Sequence, residues 1–228
     1  MRGFCTVALL ILFTWGCASQ NYNAEGMRYF GQAQFDPAIT AFQAAHRANP
    51  NDPHALYNIA ATYHHSARVA LRSGQAAAAQ QLYEYAAQYY KLCLTKDPNY
   101  ANAYRGLSAL YMDCRDGGAA YQLLENWLNA NPVAVEPKLE FARYYQEFSQ
   151  IFMVQGLTDQ ARDCRNAAEK YLQQILATDP TNYRALRALG FLKEQSGDIA
   201  GAVLDYQRSL HAYPQQKDLE ERIAVLVK

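Results

Sequence analysis

Residues 182–214 read NYRALRALGFLKEQSGDIAGAVLDYQRSLHAYP. Leu186, Leu189 and Gly190 come before a breaker at Gly197, and Ala202 and Tyr206 come before Pro214. The spacing predicts two helices folded back on each other. A small residue lets two antiparallel helices cross closely, and bulky neighbours fill the space around the crossing. Pro ends the second helix, because it lacks an N–H and clashes with the preceding turn.

The same grammar recurs along the chain. The intervals between Pro50, Pro98, Pro132, Pro180 and Pro214 are 48, 34, 48 and 34. Twelve places before each stands Ala38, Ala86, Ala120, Ala168 or Ala202; eight places before stands Phe42, Tyr90, Leu124, Leu172 or Tyr206. A second column of small residues holds Gly26, Ala60, Ser108, Ala142 and Gly190. Three residues on come Tyr29, Tyr63, Tyr111 and Tyr145, with Lys193 breaking the set. Four residues before come Tyr22, Leu56, Tyr104, Lys138 and Leu186, where Lys138 departs. One hairpin cannot bury its apolar face alone, whereas stacked neighbours can.

The 34-residue period, the small residue followed by Tyr, and the Ala–bulky–Pro order resemble the tetratricopeptide repeat (TPR). The resemblance covers five repeats, at 19–52, 53–100, 101–134, 135–182 and 183–216, within a repeat region of 17–216. It implies an all-α, right-handed superhelical solenoid of antiparallel hairpins. Residues 217–228 place Leu219, Ile223 and Leu226 on one face, as a capping helix would.

The second and fourth repeats are longer than the others by fourteen positions each. A shift of 82 along the numbering superimposes them: Ala60 meets Ala142, Gly74 meets Gly156, and Asp97–Pro98 meets Asp179–Pro180. The inserted stretches have few turn residues beyond Gly74 and Gly156. Each helix of a long hairpin is therefore expected to gain seven residues, about two turns, which keeps its buried face pointing nearly the same way. Thr158 is a candidate N-cap for the helix after Gly156. The tips carry Val69 and Leu71, and Ile151, Phe152, Met153 and Val154. These are either cover for neighbouring hairpins or a partner-binding patch.

The first residues, MRGFCTVALLILFTWGCASQ, hold Arg2 and then an apolar run from Phe4 to Trp15, too short to span a bilayer and suited to a secretory signal. Gly16–Cys17 resembles the lipobox of bacterial lipoproteins, with 1–16 as signal and Cys17 lipidated, although Thr14 and Trp15 depart from the family's aliphatic and small residues. Cleavage after Ala18 and an uncut anchor are the alternatives. Cys93, Cys114 and Cys164 are odd in number and lack metal-ligand spacing. They read as small buried residues, with a Cys93–Cys114 disulfide as the alternative.

Lys plus Arg and Asp plus Glu are both 21, so nothing in the charge balance attracts a polyanion, and no nucleic-acid partner is expected. No phosphate-binding Gly loop and no HExxH, CxxC or GxSxG motif occurs. Neighbouring His64 and His65 point to different helix faces and do not suit a chelate. Neither a cofactor nor catalysis is expected. The TPR resemblance implies that the first helices of the repeats line a concave groove for a protein or peptide. By repeat register that groove takes Tyr57, Asn58, His64 and His65; Arg105, Met112 and Asp113; Glu140, Arg143 and Gln146; and Arg184, Arg187 and Phe191. The carboxylate clamp of some TPR proteins is not reproduced: Asn58 is present without its Lys partners. An exported, lipid-anchored scaffold of the bacterial envelope is the leading expectation. A structural component that self-associates through hairpin tips or the C-terminal helix is the other.

Overall fold

The computed structural model describes residues 19–227, so the expected signal and Cys17 lie outside the described residues. Among the described residues every regular element is a helix, and there is no strand. The helices are α1 (19–31), α2 (Phe35–Ala48), α3 (Pro53–Arg72), α4 (Ala76–Lys96), α5 (Ala101–Asp113) and α6 (Gly117–Ala130). They continue with α7 (Val135–Val154), α8 (Thr158–Thr178), α9 (Tyr183–Gln195), α10 (Ile199–Ala212) and α11 (Lys217–Leu226). Two compact units divide within α6, one reaching Ala120 and one starting at Tyr121.

The long hairpins have the expected lengths. α3 and α4 have 20 and 21 residues, as do α7 and α8, whereas α5 and α9 have 13 and α2 and α10 have 14. Each helix of a long pair is thus seven residues longer than its short counterpart. A consequence is a fixed ruler along the chain. The turn inside every hairpin closes with one backbone bond of the same kind, in which Gln34, Gln75, Asp116, Leu157 and Asp198 donate to the carbonyls of Tyr29, Ala70, Tyr111, Phe152 and Lys193. The numbers of successive donors differ by 41 throughout, because the extra length is shared equally before and after the turn. The bond is the six-to-one closure of a helix C-terminus, and it requires a left-handed residue just before the donor. Gly74, Gly156 and Gly197 take that position with φ of 76°, 76° and 86°. Ala33 and Arg115 hold it at 57° and 59°, where a Cβ is strained. Thr158 does not cap α8: Leu157 occupies the N-cap position and no side-chain cap bond forms. The six-to-one turn uses the Leu157 N–H and starts the helix one residue after it.

Between hairpins the Asp-Pro pairs act as one device. The Asp97 carboxylate accepts the Asn99 N–H at 2.9 Å, and that of Asp179 accepts the Thr181 N–H at 3.2 Å. Asp fastens the turn locally while the next residue, Pro, blocks helix continuation.

In the first unit, α3 packs on α4 with α2 and α5 beside them. Ala38, Phe42 and Ile59 are the centre of one cluster, with Tyr29, Phe30, Tyr63 and Tyr89 against it. In the second unit, α7 packs on α8, α9 on α10, and α7 also touches α9. Leu139, Ala142, Ala168, Leu172, Ile175, Leu189 and Leu192 fill its core. α11 lays Leu219, Ile223 and Leu226 on the Ala202–Tyr206 cluster.

The repeat columns coincide with the core. All five Ala of the first column are 0% exposed, and the five bulky residues four places on are 2% or less. A Cβ on Gly190 would stand 2.6 Å from the Tyr206 ring, so the crossing there admits no larger residue. Gly106, outside the columns, does the same for Tyr90 of the preceding repeat, with a Cβ clash at 2.5 Å.

The three described cysteines are free, so no Cys93–Cys114 disulfide forms. Of these three, only Cys93 is a small buried residue as expected. Cys114 is exposed, because it follows the last residue of α5, and Cys164 is half-buried on α8. The Cys93 thiol donates to the Pro53 carbonyl at the start of the same hairpin, 3.3 Å away. Ser209 holds the equivalent place in the last hairpin, where its hydroxyl donates to the Tyr183 carbonyl at 2.8 Å. Burial raises the Cys93 thiol to about 12.

Candidate functional site

The first-helix faces of the two units carry different chemistry. In the first unit, Tyr57 is half-buried between the rings of Tyr90 and Tyr100, 6.0 and 5.6 Å away. The Asn58 amide reaches Asn23 on α1. His65 is more open and turns toward Phe30 and Phe35, at 5.5 and 5.1 Å. His64 points the other way, as neighbouring residues of a helix must. It is only 5% exposed and its Nε2 lies 2.8 Å from Asp113 Oδ2. The same oxygen accepts from Arg68 Nε at 2.5 Å. His64 is therefore a buried tie between α3 and α5 and does not face an open groove. Burial alone would raise the Asp113 carboxyl, but the bonds from His64 and Arg68 outweigh it and hold it below the usual carboxylate range. Arg105 contacts Asn102 on its own helix, and Met112 is half-buried beside Asp113. Arg68, Arg72, Leu71, Tyr83 and Asp113 rim a shallow cavity of 220 Å³. Arg68 gave no sequence signal, since its partner lies on another helix and far along the chain.

In the second unit, five of the sequence-derived groove residues meet in one cleft. Arg143 and Gln146 from α7 and Arg184, Arg187 and Phe191 from α9 line a space of 490 Å³ with Leu139, Ala142, Tyr183 and Ala188. Glu140 is not among them. It is 3% exposed, with an oxygen 3.7 Å from Arg143 Nε, and so is part of the packing beneath the cleft. Neighbouring positions on a helix differ by about 100° in direction, so a register slightly off turns a groove residue into a packed one, as at Glu140. Tyr183 and Ala188 escaped the sequence reading, yet they complete a stripe with Arg184, Arg187 and Phe191 at helical neighbour spacing.

A second cleft of 340 Å³ continues from the first, with Gln146 lining both. It is bounded by Ser149, Gln150, Met153 and Val154 of α7, by Arg165 of α8, and by Leu192 and Gln195 of α9. Residues 139, 142, 143, 146, 150 and 153 of α7 thus form one stripe along both clefts. Of the tip residues, Val154 is 90% exposed, Met153 and Leu71 48%, Ile151 38% and Val69 36%, while Phe152 is half-buried against Phe148.

Among the described residues no group of three or more His, Cys, Asp or Glu could hold a metal. No described helix is long and apolar enough to cross a membrane.

The tetratricopeptide repeat family model matches residues 23–69 and 159–217, just under half of the chain. No curated protein matches the sequence. Among solved structures, TTC0263, a thermophilic TPR protein of Thermus thermophilus, is 26% identical, with 92% of this chain and 99% of that one covered and a TM-score of 0.58. Human IFIT1, solved as a dimer with PPP-AAAA, is 15% identical, with 85% of this chain but 48% of that one covered and a TM-score of 0.52. The chain carries tetratricopeptide-type repeats in a TPR-solenoid fold, and that fold suggests a protein-interaction scaffold.

Proposed function

We propose that the chain is an exported, non-enzymatic scaffold of the bacterial envelope that holds a protein or peptide between α7 and α9. The observation that supports this most is the cleft itself: a 490 Å³ groove with three guanidinium groups and two aromatic rings, continuous with a second, more apolar one. Concave sites with a few placed polar groups on an apolar floor are where ligands bind. Affinity capture from solubilised membranes tests it, with an Arg143→Ala/Arg184→Ala chain as comparison and circular dichroism to check folding. Partners lost by the variant support the reading, and recovery of the same partners by both chains sinks it.

Export rests on the apolar run Phe4–Trp15, and membrane attachment on lipidation of Cys17. Incorporation of labelled palmitate that disappears in Cys17→Ser is the expected result. Self-association is the second reading. Val154 at 90% exposure, with Val225 and Val227 at 60% and 64% near the C-terminus, favours it. A monomeric molar mass in light scattering at high concentration removes it.

A further inference from the structure

The two clefts along α7 differ in chemistry, and the difference describes an occupant. No carboxylate lines the first cleft, whereas Arg143, Arg184 and Arg187 all do. Their acidic neighbours stand outside the lining and steady the three forks: Glu136 is 3.6 Å from Arg184, Glu140 is 3.7 Å from Arg143, and Asp218 binds Arg187 from α11. Three guanidinium groups lining one space match a carboxylate, which a guanidinium fork grips with two parallel bonds.

The second cleft owes its apolar wall to the long hairpin. An α7 of 13 residues, the length of α9, would end at residue 147, before Ser149, Gln150, Met153 and Val154. The extension therefore adds a subsite in which Met153, Val154 and Leu192 supply apolar surface. Met153 and Val154 are 48% and 90% exposed, so an apolar side chain placed there removes surface from water on both partners.

We infer that the paired clefts bind an extended peptide segment bearing an acidic side chain and a large apolar side chain three residues apart. This rests on the α7–α9 cleft being the binding groove. The spacing comes from α9, which lines both subsites: Leu192 lies five residues from Arg187 and eight from Arg184, or about 8 and 12 Å. A polyproline-II segment has three residues per turn and rises about 3.1 Å per residue, so residues i and i+3 share a face about 9 Å apart. Flexible Met at the apolar end accepts Leu, Ile, Met or Phe.

Random 12-residue peptides displayed on phage and panned on the full chain test this. Enriched sequences are expected to carry Asp or Glu three residues from an apolar residue, in one consistent order. The strongest peptide is then synthesised with an amidated C-terminus and followed by fluorescence anisotropy. Glu→Gln in the peptide, Arg184→Glu or Met153→Asp should each weaken Kd by about tenfold or more, as expected for a charge-assisted or buried anchor contact. Both protein positions are at the surface, and circular dichroism checks that each variant folds. Enriched peptides that lack the acid, yet are lost on Arg184→Glu or Met153→Asp, overturn the inferred chemistry and leave the groove in place. Absence of enrichment, or binding indifferent to both variants, overturns the groove as well. A single-stranded 12-nucleotide RNA that displaces the peptide at physiological salt also overturns the inference.

Discussion

Lys193 breaks a column of Tyr, and its surroundings show why the break is tolerated. In the two long hairpins that column pairs with another Tyr across the hairpin: Tyr63 stacks on Tyr89 at 5.9 Å and Tyr145 on Tyr171 at 6.1 Å. In the last hairpin the same two places hold Lys193 and Asp205, 2.6 Å apart, with Arg208 2.9 Å from the other oxygen of Asp205. Asp205 is 1% exposed, so it needs both cations. Lys193→Ala is expected to cost about 2–3 kcal/mol, less than complete loss of a buried pair because Arg208 remains. Lys193→Tyr with Asp205→Tyr should recover most of it, and a double-mutant cycle by urea unfolding measures the coupling. Arg115 offers the opposite sign. Replacing a left-handed non-glycine residue relieves about 1–2 kcal/mol, and glycine's flexibility takes back about 0.5–1, so Arg115→Gly should stabilise slightly. A lower urea midpoint would refute that. The Asp113 carboxyl, held below its usual range in the folded chain, contributes stability that is present above the unfolded value of about 3.9 and is lost as pH falls through the lower folded one. Asp113→Asn should flatten that acid limb of the urea midpoint. Such pairings were out of reach in the sequence: Lys193 was visible as an exception, but its partner was not, and His64 and Glu140 were placed by helix register, which does not report what packs behind.

At the scale of elements the sequence was more legible, because a hairpin's core repeats in fixed columns. The 0% exposure of Ala38, Ala86, Ala120, Ala168 and Ala202 follows from one spacing rule. The length of the inserts, and the single Gly in each, also foretold the paired extension. Helix starts were less legible: the turn closure shifted α8 by one residue and left Thr158 inside it. The equal extension has a test. Removing seven residues from α3 alone leaves seven residues of α4 without a partner, and the thermal midpoint should fall. Removing seven from α4 as well should restore a cooperative transition, since two turns are lost from each side of the pair. Circular dichroism melts of the single and double deletions decide it. Cys93→Ser should be nearly neutral by comparison, since Ser209 makes the same bond at the same column, whereas Cys93→Ala loses a donor and costs about 1 kcal/mol.

Across the whole molecule, stability should be shared among neighbours rather than held in one centre, as repeat proteins require. Deleting 217–228 uncovers Ala202, Tyr206 and Phe191, and is expected to lower the urea midpoint and broaden the transition. An unchanged midpoint would mean that α11 covers nothing of consequence. The make-up of the cleft was only partly legible: repeat register put Arg143, Arg184 and Arg187 on one groove face, but it did not show that Glu140 packs away or that Tyr183 and Ala188 complete the lining. The constant interval between hairpin turns has a last consequence, for recombination. Cut at those turns, the chain yields four interior blocks of one length, 34–74, 75–115, 116–156 and 157–197. Each block carries one short and one long helix, so the first and third, or the second and fourth, could be exchanged between genes with every later residue staying in register.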